Sequence, residues 1–177
     1  MMVFLSDGKE QNVGKLLYEE VRRRGVEATY ISLDEKDIGP CRGCGSCSGP
    51  TFGKCIQNDD MQEVLKILSA SRTWVMVCPI RFGNYSSRAK MAQERTSTLG
   101  DPRYYVERGE LVKQMHDLDA FFAVGVKDHC EENEKDVFLS LHRENVHIMN
   151  VNGEAFVVPT QPDPQSISHI AEVLIHE

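Results

Sequence analysis

Short apolar pulses alternate with segments of helical period along almost all of the 177-residue chain, and that rhythm restricts the fold more than any other feature. MVFLS at 2–6 is a short apolar run suited to a buried strand. Val13, Leu16, Leu17 and Val21 then recur at helical spacing, with basic residues at 22–24 and Gly25 as a stop. ATYISL at 28–33 is rich in β-formers. Asp59 and Asp60 can cap a helix whose apolar stripe is Met61, Val64, Leu65 and Leu68. TWVMVC at 73–78 reads as a buried strand running into a turn-rich loop, PIRFGNYSS, and a polar helix at about 86–95. AFFAVGV at 120–126 is strand-like. A helix carrying Val137, Phe138 and Leu141 follows, then VHIMNV as a strand, a PTQPDP linker, and a C-terminal helix with Ile167, Ile170, Ala171 and Leu174. Residues 97–110 fit neither template and read as an inserted loop. About five strand–helix units predict a parallel sheet with helices on both faces, in a single domain spanning 1–177.

Composition narrows the function. A net charge of −7 argues against a nucleic-acid surface or a polybasic membrane contact. No apolar run reaches the ~20 residues of a membrane span, and the first residues lack the pattern of a signal peptide. The expected compartment is the cytoplasm, where clustered thiols more often bind metal or carry redox chemistry than form structural disulfides.

Four of the six cysteines fall in one glycine-rich loop at 40–58: Cys41, Cys44, Cys47 and Cys55, spaced C-x2-C-x2-C-x7-C. A tight triplet with a more distant fourth thiolate suits a cubane 4Fe–4S cluster, in which each iron takes one cysteine. The fourth gap differs from the ferredoxin run. A structural zinc also wants four thiolates, but as two separated pairs, and free thiols or a disulfide are the plain alternative. Cys78 reads as a small core residue, Cys130 has no assigned role, and the neighbouring His129 reads as solvated. His142 and His147 read as surface residues. No Ser–His–Asp set or H-E-x-x-H helix supports a hydrolase.

CRGCGSCSGPTFGKCIQNDDM resembles the signature of the iron–sulfur flavoproteins, within the larger NADPH-dependent FMN reductase group. CPIRFGNYSSRAKMAQERT resembles the group's flavin-bordering P-I-Y-F-G-N-x-S-x-x-x-K stretch, and SDGKEQNVGKLL resembles its phosphate loop, S-P-R-K-x-x-N-T-x-x-L. The three motifs cover residues 2–96. The resemblance implies a flavodoxin-like three-layer sandwich with strand order 2-1-3-4-5, and FMN at loops 6–13, 79–86 and 126–132. It places Ser6, Lys9, Asn12, Val13, Pro79, Ile80, Arg81, Phe82, Gly83, Asn84 and Gly125 beside the flavin, with the four loop cysteines as cluster ligands. It further implies electron transfer between a one-electron donor such as ferredoxin, or NAD(P)H, and a small-molecule acceptor such as a quinone, peroxide or dioxygen. A cluster-free FMN or quinone reductase, and a non-catalytic member with a decayed flavin site, are the alternatives. The chain departs from the group's pattern at Val13 for Thr or Ser, Asp7 for Pro, Glu10, Arg81 for an aromatic residue, and VGVKDHCEEN for a glycine-rich third loop. Tyr104 and Tyr105 in the insertion suggest an interface, and with it a homo-oligomer in which the segment covers a neighbour's cofactor region.

Overall fold

The computed structural model describes residues 1–8 and 13–176. Its centre is a five-stranded, all-parallel sheet in the order β2-β1-β3-β6-β7. The strands are β1 (Met2–Ser6), β2 (Ala28–Ser32), β3 (Thr73–Pro79), β6 (Ala120–Val126) and β7 (Ala155–Val158). Among the strands of that sheet the order is 2-1-3-4-5, as expected. The three central strands are near-continuous apolar runs because both of their faces are covered.

Alternation along each strand divides the core in two. Met2, Phe4, Val75, Val77, Phe122 and Val124 pack on α1 (Val13–Arg23) and α5 (Pro164–His176), through Leu17, Val21, Ile170 and Leu174. Val3, Leu5, Trp74, Met76, Phe121 and Ala123 face the other way. They pack against α2 (Met61–Ser69), α3 (Ser87–Arg95) and α4 (Glu132–Met149). No helix among the described residues is long and apolar enough to cross a membrane.

Four local expectations change. VHIMNV is not a strand: α4 runs on to Met149, because Phe138, His142, Val146 and Met149 fall on one helical face and bury together. Asn150, in the left-handed conformation, ends that helix, and the fifth strand of the sheet is AFVV at 155–158. The 97–110 segment is ordered as a short 3-10 turn, Thr96–Leu99, leading into the antiparallel hairpin β4 (Tyr105–Glu107) and β5 (Glu110–Val112). Its two-residue turn, Arg108 and Gly109, has both φ angles positive, as tight hairpins favour. His142 is fully buried rather than superficial, whereas Leu16 and Val137 lie on exposed faces of their helices.

Candidate functional site

The strand order reverses between β1 and β3, so the crevice beyond their carboxyl ends is where a ligand of such a sheet binds. Ser6 ends β1 beside Ser32 and Val77. Pro79 ends β3, and Gly125 lies opposite Cys78 on β6. Lys9 and Asn12 lie outside the described residues, as does Glu10. Val13 opens α1, but its side chain is buried in the apolar layer. A hydroxyl at that position would point into hydrocarbon.

Around the first loop the structure gathers Asp7 with two charges that the sequence did not single out, Asp34 and Arg88. The Gly8 N–H donates to Asp34 Oδ2 at 2.8 Å. The Ser86 hydroxyl donates to the carboxylate of Asp7, and its oxygen accepts from the Ala89 N–H at the start of α3. Arg88 Nη1 bridges Asp34 at 3.0 Å and Asp7 at 3.6 Å. Two carboxylates and one guanidinium therefore stand where an incoming phosphate would approach the first turn of α1, whose amides lack helical partners.

In the second loop, Arg81 and Asn84 exchange both backbone hydrogen bonds at 2.9 Å. Phe82 and Gly83 form the tip, each at positive φ. The Phe82 ring is 98% exposed, whereas Ile80 is buried. The tip leans on α4. A Cβ on Gly83 would sit 2.6 Å from Val137 Cγ1, and one on Gly125 would sit 2.6 Å from Ile80 Cγ1. Close packing of protein on protein therefore already accounts for both glycines.

The cysteine loop forms a second, well-defined feature. Gly43 and Gly45 take positive φ, which lets the backbone turn between successive thiols. Asp59 and Asp60 staple the base of the loop. Asp59 Oδ2 accepts from the Gly39 N–H at 3.0 Å, Asp59 Oδ1 from the Met61 N–H at 3.1 Å, and Asp60 Oδ2 from the Asp37 N–H at 2.7 Å. Gln62 Nε2 donates to the carbonyls of Cys55 at 2.9 Å and Gln57 at 2.7 Å.

All four loop cysteines line one cavity of about 240 Å3, whose wall is completed by Gln57, Arg95, Ser97 and Thr98. All four are free thiols. Among the described residues no three His, Cys, Asp or Glu side chains converge on a point as ligands of one ion would. Ser46, with its hydroxyl 3.5 Å from Cys44 Sγ, holds that thiol below its usual pKa. Cys78, by contrast, is buried in the core, and burial pushes its pKa up to about 12.

Arg95 is the residue that sequence reasoning missed. On a polar helix an arginine ordinarily reads as solvated, yet this one is 1% exposed. It pairs with Asp59, donates to the Gly39 carbonyl at 3.2 Å, and sets Nη2 3.4 Å from Cys55 Sγ. Its Nε is buried without a partner among the described residues. Burial raises the Asp59 pKa, but the Arg95 hydrogen bond and the two amides outweigh it, so the carboxyl lies below its usual range. A thiol-lined cavity with a buried guanidinium at its wall suits an anionic, thiolate-bound group.

The architecture is that of the flavodoxin-like flavin reductases. An FMN-dependent NADH-azoreductase of Bacillus anthracis superposes with a TM-score of 0.61 at 13% identity, covering 96% of this chain and 92% of that one. The Trp repressor binding protein of Bacillus subtilis gives 0.60 at 12% identity, covering 100% and 99%. At such identities the likeness establishes the fold alone. The sequence profile of the NADPH-dependent FMN reductases matches residues 5–163, and the chain belongs to that family. Among curated relatives, an iron–sulfur flavoprotein of Methanosarcina thermophila is 29% identical over 97 residues, 53% of this chain and 50% of that one. Another, from Methanocaldococcus jannaschii, is 34% identical over 79 residues, 45% of this chain and 40% of that one. The matched stretches thus span about half the length of these relatives or less.

Proposed function

We propose that this protein is an FMN-dependent oxidoreductase that carries a 4Fe–4S cluster in its cysteine loop. It would pass electrons between a one-electron donor such as ferredoxin, or NAD(P)H, and a small-molecule two-electron acceptor. The observation that carries the reading is the single cavity lined by Cys41, Cys44, Cys47 and Cys55, with Arg95 buried against Cys55. The cluster would supply one-electron steps and the flavin one- or two-electron steps, so the two bridge partners of different electron count.

The chain's own residues position and bias these groups. A cubane takes one thiolate per iron and so spreads its ligands over a cavity wall. That agrees better with the thiol arrangement than a single zinc does, which needs all its sulfurs about 2.3 Å from one point. Arg95 supplies a fixed positive charge beside one ligand sulfur, and Asp59 holds the guanidinium in place. A positive charge there favours the thiolate and the more reduced, more negative state of whatever the thiolates bind. At the sheet, the start of α1 and the loops after β3 and β6 would hold FMN, with Phe82 free to lie against the ring. Asp7 and Asp34 oppose the phosphate, and Arg88 offsets part of that charge. FMN is therefore expected to be weakly held and dissociable.

The test is loading. Protein prepared without oxygen should carry iron and acid-labile sulfide. The Cys44→Ser, Cys47→Ser double variant should carry neither, and Cys130→Ser should carry both. Full loading of the double variant would exclude the ligand set.

A further inference from the structure

A second cavity, of about 500 Å3, adjoins the thiol-lined one and shares Cys41, Gly43 and Ser97 with it. None of its lining residues belongs to the loops after β1, β3 and β6. On α4 it is bordered by Ile148 and Met149, sixteen and seventeen residues past the helix start and so about 24 Å along the axis. It is therefore not the crevice at the carboxyl ends of the strands. Tyr104, Met115, Ile148 and Met149 give it an apolar, polarisable wall, and two lysines, Lys90 and Lys113, face it.

Lys113 is the informative group. It is 7% exposed, a rare setting for a lysine without a partner carboxylate. Among the described residues its ammonium makes one hydrogen bond, to the Ser97 carbonyl at 2.9 Å, and lies 5.6 Å from the centre of the Tyr104 ring. No carboxylate of those residues pairs with it, although three donors are available on the group. A buried cation left largely unsatisfied is costly unless something anionic completes it. Lys90 is spoken for, 3.1 Å from Gln93 Oε1 and 4.0 Å from Glu94 Oε1.

We propose that this cavity binds a flat, anionic aromatic ligand, its negative group on Lys113 and its ring against Tyr104 and the methionines. The volume falls within the range of small-molecule sites. Methionine adapts to flat rings, and the aromatic face of Tyr104 offers a stacking surface. That such a ligand would exchange electrons rests on the proposed function, because only a redox group at the thiols gives the shared wall at Cys41 a purpose. The binding itself does not depend on it.

Calorimetry with anthraquinone-2-sulfonate on the full chain tests the proposal. Saturable binding, one per chain, is expected. Lys113→Met keeps the apolar stem and removes the charge, and should weaken binding about tenfold or more. Ile148→Trp, at a position 42% exposed on the rim, should obstruct the cavity without unfolding the protein. The neutral 2-methyl-1,4-naphthoquinone should bind more weakly and ignore Lys113→Met. Saturating FMN should leave the affinity unchanged. The Cys44→Ser, Cys47→Ser variant should still bind the sulfonate, so loss of iron and loss of this site are separable. Absence of binding, competition by FMN, or affinity unchanged in either Lys113→Met or Ile148→Trp would overturn the proposal.

Discussion

Arg95 concentrates more consequences than any other side chain. Removing one partner of a buried ion pair leaves the other charge uncompensated, at a cost of about 3–5 kcal/mol. Arg95→Leu should lower stability by up to about that amount in urea titrations, because Asp59 loses its counter-charge and keeps only its two backbone N–H donors. Arg95→Lys should retain part of the stability but lose the contact to Cys55, since one ammonium cannot reproduce the guanidinium fork. A fall of less than about 1 kcal/mol in the leucine variant would show that the pair is not structural. His142 makes a separate prediction. Its Nε2 lies 2.9 Å from the Phe121 carbonyl, which can only accept, so Nε2 carries the proton. Nδ1, 2.8 Å from the Tyr85 hydroxyl, therefore accepts from it, and Asn145 donates to the Tyr85 oxygen at 3.1 Å. A second proton on the ring has no place in this chain, and burial lowers the pKa to about 4. The unfolded chain takes up that proton near pH 6.5. Between those values the unfolded state binds more protons, so stability falls as pH falls. The loss should approach about 3 kcal/mol by pH 4 and be absent above about pH 7. The slope should flatten in His142→Gln; an identical slope in both proteins would remove His142 as its source. Neither network was legible in the sequence, because both depend on partners more than twenty residues away in the chain.

At the scale of elements, the turn at 81–84 and the break at 150–153 carry the strain. Gly83→Ala would put a methyl 2.6 Å from Val137 Cγ1 at a positive φ. Overpacking of that kind costs about 1–3 kcal/mol, and the thermal midpoint should fall with it; an unchanged midpoint would mean that the turn and α4 are not rigidly joined. Helix stripes and the three central strands were readable, because spacing and two-sided burial leave plain periodic marks. The end of α4 was not. Val146 and Ile148 stand two apart in an apolar run, as in a strand, whereas the helix is decided by Val146 and Met149 continuing the face begun by Phe138 and His142. The 105–112 hairpin escaped for a different reason. Its outer side chains, Val106 and Leu111, are apolar and exposed, and it leans on Asn150, whose Nδ2 donates to Tyr105 at 2.7 Å. Long-range support of that kind leaves no local pattern.

For the molecule as a whole, a parallel sheet covered on both faces followed from alternation, its strand order followed from the family resemblance, and the cysteine spacing marked the four-thiol loop. The flavin crevice was less legible. Phe82, Gly83, Asn84 and Gly125 keep the motif's residues, yet the charge balance is set by Asp34, outside the motif, and by Arg88, at one of its variable positions. Asp34→Asn should therefore tighten FMN in calorimetry, since it removes a negative charge near the phosphate path; weaker binding would mean that Asp34 orders the loop instead. Assembly is a further expectation. Val106 and Leu111 are cross-strand partners on one exposed face of the hairpin. If that face joins copies of the chain, Val106→Lys with Leu111→Lys should yield monomers by light scattering, and a wild-type monomer at high concentration would dispose of the idea. Most depends on the proposal that the four-thiol cavity holds a cluster beside the flavin crevice. The direct measurement is iron, acid-labile sulfide and flavin content of protein purified without oxygen and reconstituted with FMN. About four irons and four sulfides per chain are expected, with FMN bound but removable by dialysis. Protein that takes up zinc but no sulfide, or that binds no FMN at saturation, would contradict it.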